Sequence, residues 1–265
     1  MDKKVCAPSN KYNYSCFTMK DLKEMATETN KVYGGNIITS KYKTTDKQKL
    51  LRDIQKNLSC GNMSVDTCIL TKYDAQFNKL IKKNFKPKAP HEKYDWLSSV
   101  DIADVMGQYM KKHNDFLFFG PLPIDFANFN SGINKINFKK LKKSKQKIGV
   151  IFNTDPSHKN GEHWISLYID LTNKTICFFD SVGSEPPTEV KRFINKMAKL
   201  AKEQTGIKLK KIVNGKQHQY KDSECGVYSL YFIISRLQGK SCDYINNKII
   251  KDEEMNNYRK KFFRK

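Results

Sequence analysis

The stretch HQYKDSECGVYSLYFIISRL, residues 218–237, holds the most informative pattern of the chain. In it, Cys225-Gly226 opens an apolar run that predicts a buried helix over 225–238. A cysteine at a helix N-terminus lies where unpaired N–H groups and the positive end of the helix dipole converge, which favours the thiolate form. Cys225 is therefore a candidate nucleophile. An inert core cysteine is the alternative, since free cysteines are commonly buried.

Two neighbours of Cys225 fit the same chemistry. Gly226 lacks a side chain, so a substrate carbonyl could approach the backbone closely there. Gln219 stands six residues before the cysteine, in a loop that could turn its amide toward the sulfur. With the Cys225 N–H, this amide could hold the oxyanion of a tetrahedral intermediate. Gln217 is a rival for that role, and a loop glutamine without a role is the alternative.

The best candidate for the base that activates Cys225 is His163, one of five histidines in the chain. It starts the strand-like run HWISLYID, and a second such run, KTICFFD, ends in Asp180. If the intervening turn pairs Asp170 with Asn173, an antiparallel hairpin sets residue 163 opposite residue 180. A carboxylate there would fix the imidazole tautomer and stabilise its charged form. The alternatives are a strand histidine with no catalytic role and a turn aspartate.

Length and composition bound the other possibilities. The 265 residues allow one sizeable core with a smaller accessory domain. The formal net charge of +22 favours nucleic acid, an acidic protein surface or anionic lipid as a partner. Seven scattered cysteines without a CxxC pair or an N-terminal signal segment favour a reducing compartment. The apolar runs are far shorter than the ~20 residues of a membrane span, so we expect a soluble protein without one.

The pattern changes along the chain at the segment KPKAP, residues 86–90, whose prolines discourage regular structure. We therefore predict a helical accessory domain over residues 1–85 and an α+β core over residues 86–265. The predicted helices cover 20–29, 46–58, 72–84, 99–112, 187–205, 225–238 and 252–263. The predicted strands cover 116–119, 148–153, 163–169, 175–180 and 207–213.

The segment from Lys135 to Lys147, KINFKKLKKSKQK, holds seven lysines and no acid. A solvated loop or strand edge is one interpretation. A surface for polyanions is the other, because clustered lysines neutralise phosphates and release counterions. The segment lacks interleaved aromatic residues, so sequence-specific recognition of nucleic acid is not supported.

The chain has two tryptophans, Trp164 beside the candidate base and Trp96 in YDWLSSVDI. A large aromatic side chain next to a catalytic histidine can wall a narrow cleft, although core packing is the ordinary explanation. The histidines and N-terminal cysteines show no zinc-like spacing, so we expect no metal.

The blocks GEHWISLYID, FFDSVGSEPP and HQYKDSECGVYSLYFIISRL resemble the catalytic blocks of the Ulp1/adenain clan of cysteine peptidases, and among them the polyprotein-processing proteases of large DNA viruses. The resemblance covers about residue 79 to the C-terminus. It implies the clan's fold, a central mixed sheet flanked by helices with an N-terminal helical arm domain. By position it implies that Cys225 is the nucleophile, His163 the base and acid, Asp180 the orienting residue and Gln219 the oxyanion donor.

YDWLSSVDI is also similar to the WLND-type element of Ulp1-like enzymes, with WLSS in place of WLND. The similarity implies that Trp96 and Trp164 enclose the glycines of a Gly-Gly substrate tail. Only glycine is thin enough for such a slot. The departure from WLND puts the polar contacts of that element in doubt.

The implied function is a cysteine endopeptidase that cleaves viral structural polyproteins after Gly-Gly-type sites during virion maturation, in the host cytoplasm (virus factory) and in the virion. One alternative is an isopeptidase that removes ubiquitin-like modifiers from host proteins. Acetyl transfer by the same residues and a basic DNA-associated packaging protein are two more. No bound cofactor is expected, but the resemblance to adenain-like proteases allows stimulation by DNA.

Overall fold

The fold was analysed in a computed structural model that describes residues 5–10, 14–33, 46–90 and 94–265. The chain divides into two compact units between Pro87 and Lys88. This division lies two residues after the boundary predicted from the KPKAP segment. Each unit has its own hydrophobic core.

The N-terminal unit is helical. Its helices are α1 (Met19–Tyr33), α2 (Lys47–Asn57), α3 (Val65–Lys72) and α4 (Asn78–Asn84). The sequence analysis missed α3 and predicted one helix over 72–84, which is wrong because Lys72 ends α3 and a turn precedes α4. The missed signal is Ser64, whose side chain accepts the N–H of Thr67 and caps α3.

The larger unit is built on a five-stranded mixed sheet in the order β1-β2-β3-β4-β5. The β1–β2 and β4–β5 pairs are parallel, and the two pairs between them are antiparallel. The strands are β1 (Phe116–Leu122), β2 (Lys147–Asn153), β3 (Trp164–Asp170), β4 (Thr175–Phe179) and β5 (Lys210–Val213). The predicted α+β class is confirmed.

Helices cover both faces of this sheet. They are α5 (Ser99–Lys112), α6 (Phe138–Leu141), α7 (Thr188–Thr205), α8 (Cys225–Leu237), α9 (Cys242–Asn247) and α10 (Asp252–Phe262). One core cluster joins α5 and α8 to the sheet, and a second joins α6 and α7 to it. Every residue of β3 is buried because this central strand is covered on both faces.

Several predicted boundaries agree with the structure. The pattern over 99–112 gave the bounds of α5, and Gly206 follows α7 in the left-handed conformation that ends a helix. Helix α9 was missed, and the strand predicted over 207–213 is β5, which begins only at Lys210. The described ranges contain no helix that is both long and apolar enough to cross a bilayer.

The hairpin register predicted from the sequence is wrong. Asp170 pairs with Thr175 rather than with Asn173, and Ser166 pairs with Phe179. The Asp170 carboxylate accepts the N–H groups of Thr172 and Asn173, so the turn holds four residues instead of two. The error is two residues, an even number, and so it leaves each side chain on its predicted face of the sheet.

Six of the seven cysteines form disulfides: Cys6–Cys16, Cys60–Cys68 and Cys177–Cys242. Cys225 alone is free. Such pairing disagrees with the reducing compartment favoured by the sequence analysis, since disulfides are rare there. The argument from spacing does not hold because pairing depends on distance in the fold and not on separation along the chain.

The disulfide pattern predicts the number of titratable thiols. The protein purified without reductant and unfolded in guanidinium should react with Ellman's reagent at one thiol per chain, Cys225. Cys225→Ala should then react at none. Several reactive thiols in the unreduced protein would contradict the pairing, and full reduction provides the control with seven thiols.

Candidate active site

The candidate active site lies at the sheet edge where β3 begins and β4 ends. His163 directly precedes β3, and Asp180 directly follows β4. Because the two strands are antiparallel, the start of one and the end of the other share that edge. The His163 carbonyl accepts the Thr154 N–H, which continues the β2–β3 ladder and holds the histidine backbone.

His163 and Asp180 are in direct contact. His163 Nε2 lies 2.7 Å from Asp180 Oδ1, which also accepts the Val182 N–H at 3.0 Å. The Asp180 carboxylate is buried, and its bond to the Val182 N–H holds it in place beside the ring. With Nε2 engaged by Asp180, the ring's other nitrogen, Nδ1, is available to the nucleophile.

Cys225 is the first residue of α8, and it is 1% exposed. Helix α8 packs on β3, where Ser229 Oγ donates to the Trp164 carbonyl at 3.1 Å. This packing brings the helix N-terminus to the edge that carries His163. Cys225 lies close enough to His163 to raise the pKa of the imidazole, so the three predicted residues meet although they are far apart in sequence.

The surroundings of His163 favour its charged form. Burial alone would lower the pKa of His163, but hydrogen bonds and charge interactions with Asp180 and Cys225 raise this pKa to about 10. A protonated imidazole beside a sulfur stabilises the thiolate, which is the reactive form of cysteine. The arrangement can therefore support nucleophilic catalysis by a thiolate–imidazolium pair.

Gln219 is buried in the loop before α8. Its Oε1 accepts the Ser181 hydroxyl at 2.6 Å, and its Nε2 donates to the Lys221 carbonyl at 2.6 Å. The rival Gln217 instead donates its side-chain amide to the Gln219 carbonyl at 2.9 Å. The second N–H of Gln219 Nε2 therefore has no partner among these groups.

The two tryptophans differ in exposure. Trp96 is 47% exposed, whereas Trp164 is 7% exposed and donates its Nε1–H to the Leu97 carbonyl at 2.9 Å. A Cβ at Gly226 would lie 3.0 Å from Leu97 Cβ and 3.2 Å from Trp164 Cδ1. Gly226 thus permits close packing of these side chains on the start of α8, which differs from the substrate approach predicted for it.

Helix α10 supports the loop that precedes Cys225, and the sequence analysis did not predict this. Asp252 Oδ2 accepts the N–H groups of Tyr220 and Lys221 at 2.9 and 3.1 Å. Arg259 donates to the carbonyls of Ser223 and Asp95 at 2.9 and 2.7 Å, and so joins this loop to the segment before Trp96. No sequence signal identified these contacts, because a buried charge bonded to the main chain of a distant loop has no local pattern.

No group of three His, Cys, Asp or Glu side chains in the described part of the chain could hold a metal ion. The fold brings together the Cys225 thiol, the His163 imidazole and the Asp180 carboxylate, and it places the Gln219 amide against Ser181, the residue after Asp180.

Comparison with known proteins agrees with this class of site. The model of the Ulp1 protease family, C-terminal catalytic domain, matches residues 107–265. A putative thiol protease, R355, of Acanthamoeba polyphaga mimivirus is 29% identical over 98% of this chain and 93% of the relative. The SUMO-1 cysteine protease S273R of an African swine fever virus isolate from Kenya is 27% identical over 82% of this chain and 88% of the relative.

A solved structure shows the same fold. The crystal structure of the African swine fever virus pS273R protease aligns with a TM-score of 0.72 at 24% identity, and the alignment covers 98% of this chain and 95% of that one. Fold and site together define a cysteine protease. The chain belongs to the Ulp1 protease family, as its catalytic blocks predicted.

The raised pKa of His163 predicts that the stability of the larger unit, called the catalytic unit below, depends on pH. An unfolded histidine loses its proton near pH 6.5, but the folded ring keeps it up to about pH 10. Its contribution to the free energy of unfolding is therefore complete below pH 6.5 and disappears as pH rises toward 10. The difference in unfolding free energy between the unaltered protein and His163→Gln should shrink over that range.

Urea unfolding followed by tryptophan fluorescence measures this difference in the catalytic unit, which contains both tryptophans. His158→Gln, at an exposed loop histidine, is the matched control. A His163→Gln difference that stays constant across the whole pH range would contradict the assignment.

Proposed function

We propose that the protein is an endopeptidase that cleaves viral structural polyproteins after Gly-Gly-type sites during virion maturation. It would act in the host cytoplasm, at the virus factory, and in the virion, and the three disulfides agree better with the virion because disulfides are rare in the cytosol. The observation that carries the proposal is the contact of His163 with Asp180, beside Cys225 at the start of α8, whose side chain raises the pKa of His163. The similarity to two viral proteases over most of their lengths supports the viral setting.

The first half of the reaction forms an acyl-enzyme. The Cys225 thiolate attacks the carbonyl carbon of the scissile peptide bond, and the electron pair of the C=O bond moves to oxygen. Gln219 Nε2–H and the Cys225 backbone N–H donate to this oxyanion. His163 then gives its proton to the leaving amine, the C–N bond breaks, and a thioester remains on Cys225.

The second half hydrolyses the thioester. His163, now neutral, takes a proton from a water molecule that attacks the thioester carbonyl. The C–S bond breaks, the acid product leaves, and the thiolate–imidazolium pair is restored. Asp180 holds the ring through both halves, so that Nδ1 faces the reacting atoms and the charge on the ring is stabilised.

The narrow surroundings of Cys225 support a preference for glycine before the cut. Leu97 and Trp164 both lie within 3.3 Å of the position that a Cβ on Gly226 would take, so little room is left at the start of α8. Trp96 adjoins Leu97 and is half-exposed, where it can cover an entering peptide. We expect a residue without a side chain to approach Cys225 past these side chains with the least steric cost.

Replacement of the nucleophile tests the proposal. Incubation of the protein with viral precursor polypeptides should give products that mass spectrometry identifies as ending in Gly-Gly. Cys225→Ala should give no product while it keeps its fold, because the substitution removes only the sulfur. Ser235→Ala, another buried position of α8, is the matched control and should remain active. Turnover by purified Cys225→Ala would refute the assignment.

An isopeptidase that acts on host proteins is the second candidate, favoured by the name SUMO-1 cysteine protease carried by one relative. Ubiquitin-like probes with a reactive C-terminal Gly-Gly should label Cys225 rapidly if this candidate is correct. Faster cleavage of peptides from viral precursor junctions, with slow labelling by the probes, would favour the endopeptidase instead.

We also propose that nucleic acid binds the catalytic unit through the Lys135–Lys147 segment. Phe138 is fully buried and Ile136 nearly so, whereas the lysines on either side of this pair are exposed. Within the segment, Lys147 pairs with Asp115 at 2.8 Å and Lys145 donates to the Asn114 carbonyl. The exposed lysines are Lys135, Lys139, Lys140, Lys142 and Lys143. Four residues of the segment form the short helix α6, and the residues between α6 and β2 are turn and loop, in agreement with the first interpretation.

Substitution of four of these lysines by glutamine should weaken DNA binding and reduce its dependence on salt. The substituted residues are Lys139, Lys140, Lys142 and Lys143. Each lost phosphate contact lowers the slope of log K against log salt by roughly 0.9, so the total change should be about 2–4.

The matched control removes four exposed lysines of the N-terminal unit, and it should change the slope less. These lysines are Lys20, Lys31, Lys56 and Lys79. Fluorescence anisotropy with a duplex oligonucleotide gives both slopes, and peptide cleavage with and without that duplex tests for stimulation. Equal slopes for the two variants would exclude this segment as the binding surface.

A further inference from the structure

The residue after Asp180 contacts the candidate oxyanion donor. Ser181 Oγ donates to Gln219 Oε1 at 2.6 Å, and both side chains are almost completely buried, with Ser181 1% and Gln219 3% exposed. The Ser181 carbonyl also accepts the N–H groups of His218 and Gln219, at 2.7 and 2.8 Å. The turn after β4 and the loop before α8 are therefore bonded through main chain and side chain.

We propose that Ser181 is a positioning residue that orients the Gln219 amide toward the oxyanion. This inference rests on the proposed role of Gln219 and deepens it. An amide side chain can rotate by half a turn with little change of shape, which exchanges its oxygen and nitrogen. An oxyanion donor works only when the nitrogen faces the reacting carbonyl oxygen.

Two contacts hold the amide in one orientation. The Lys221 carbonyl, which can only accept, requires an N–H from Nε2, and the Ser181 hydroxyl, which can donate or accept, donates to Oε1 in that orientation and holds the amide there. In the rotated amide, Oε1 would face the Lys221 carbonyl, and two acceptors would meet in a buried place at considerable cost. The observed orientation leaves the second Nε2–H for the substrate.

The turn after β4 and the loop before α8 approach each other closely, which holds Ser181 and Gln219 next to each other. Gly183 has φ +78°, and a Cβ there would lie 2.8 Å from the Gln217 nitrogen and from the Lys216 carbonyl carbon. The Asp180 carbonyl accepts Asn214 Nδ2–H at 2.8 Å. These contacts do not involve the Ser181 hydroxyl, so we expect Ser181→Ala to fold and to keep its loop, losing only the hydrogen bond to Oε1.

Adjacent residues therefore organise the two halves of the catalytic machinery. Asp180 orients the histidine that moves the proton, and Ser181 orients the amide that stabilises the negative oxygen. Because the two residues share one short turn at the end of β4, the spacing between base and oxyanion donor is set by a single dipeptide.

A double-mutant cycle tests the inference, with an acetylated peptide ending in Gly-Gly-aminomethylcoumarin as substrate. Loss of an oxyanion donor costs roughly 10²–10³ in kcat, which is the expectation for Gln219→Ala. Ser181→Ala should lower kcat about tenfold and leave KM within about twofold, because the bond positions a group that acts only in the transition state. In the Gln219→Ala background, Ser181→Ala should lower kcat by less than about twofold.

The control is Ser166→Ala, which removes another buried hydroxyl, bonded to the Phe179 carbonyl at 3.4 Å in the same sheet. It should leave kcat near that of the unaltered protein. A peptide aldehyde ending in Gly-glycinal provides a second readout, because its adduct with Cys225 carries an oxygen in the same position. Its inhibition constant should rise in Ser181→Ala by about the same factor as kcat falls.

The possible failures are distinguishable. If Gln219→Ala leaves kcat unchanged, or the unaltered protein cleaves no Gly-Gly peptide, the proposed function fails and the inference with it. If Gln219→Ala lowers kcat while Ser181→Ala has no effect, only the proposed role of Ser181 is overturned. The same conclusion follows if Ser181→Ala lowers kcat by the same factor in the unaltered protein and in the Gln219→Ala background.

Discussion

The contact between His163 and Asp180 is the interaction on which the rest of the site depends. A buried carboxylate is costly unless hydrogen bonds compensate it, and here both the ring and the Val182 N–H do so. The contact requires that β3 begin and β4 end at the same edge, which the antiparallel pairing provides. The contact with Asp180 also helps to raise the pKa of His163, although burial alone would lower it. A charged ring stabilises the thiolate form of the neighbouring cysteine.

The other half of the site depends on how the loop before Cys225 is held. Ser181 bonds it from the sheet side through both its carbonyl and its hydroxyl. Asp252 at the start of α10 bonds it through the N–H groups of Tyr220 and Lys221. The C-terminal helix is therefore part of the catalytic architecture although it supplies none of the reacting groups. A rigid loop matters because an oxyanion donor acts only if it is in place before charge develops.

Local pattern was sufficient for some elements and insufficient for others. The apolar periodicity of α5 and the Pro and Gly at the two ends of α7 gave their bounds closely, because these signals act within a few residues. The register of the β3–β4 hairpin was wrong because side-chain bonds of Asp170 lengthen the turn. The six paired cysteines were missed because their spacing in the chain says nothing of their distance in the fold.

By itself, the sequence determined the class of protein and identified the candidate side chains, since a cysteine that opens an apolar helix and a histidine that opens a strand are local features. Only the tertiary structure decided how these groups are supported. It showed that Gly226 makes room for Leu97 and Trp164, that Ser181 contacts Gln219, and that Arg259 joins two distant segments. The physical reason is that hydrogen bonds and packing between remote segments depend on three-dimensional proximity, which no pattern within a few residues specifies.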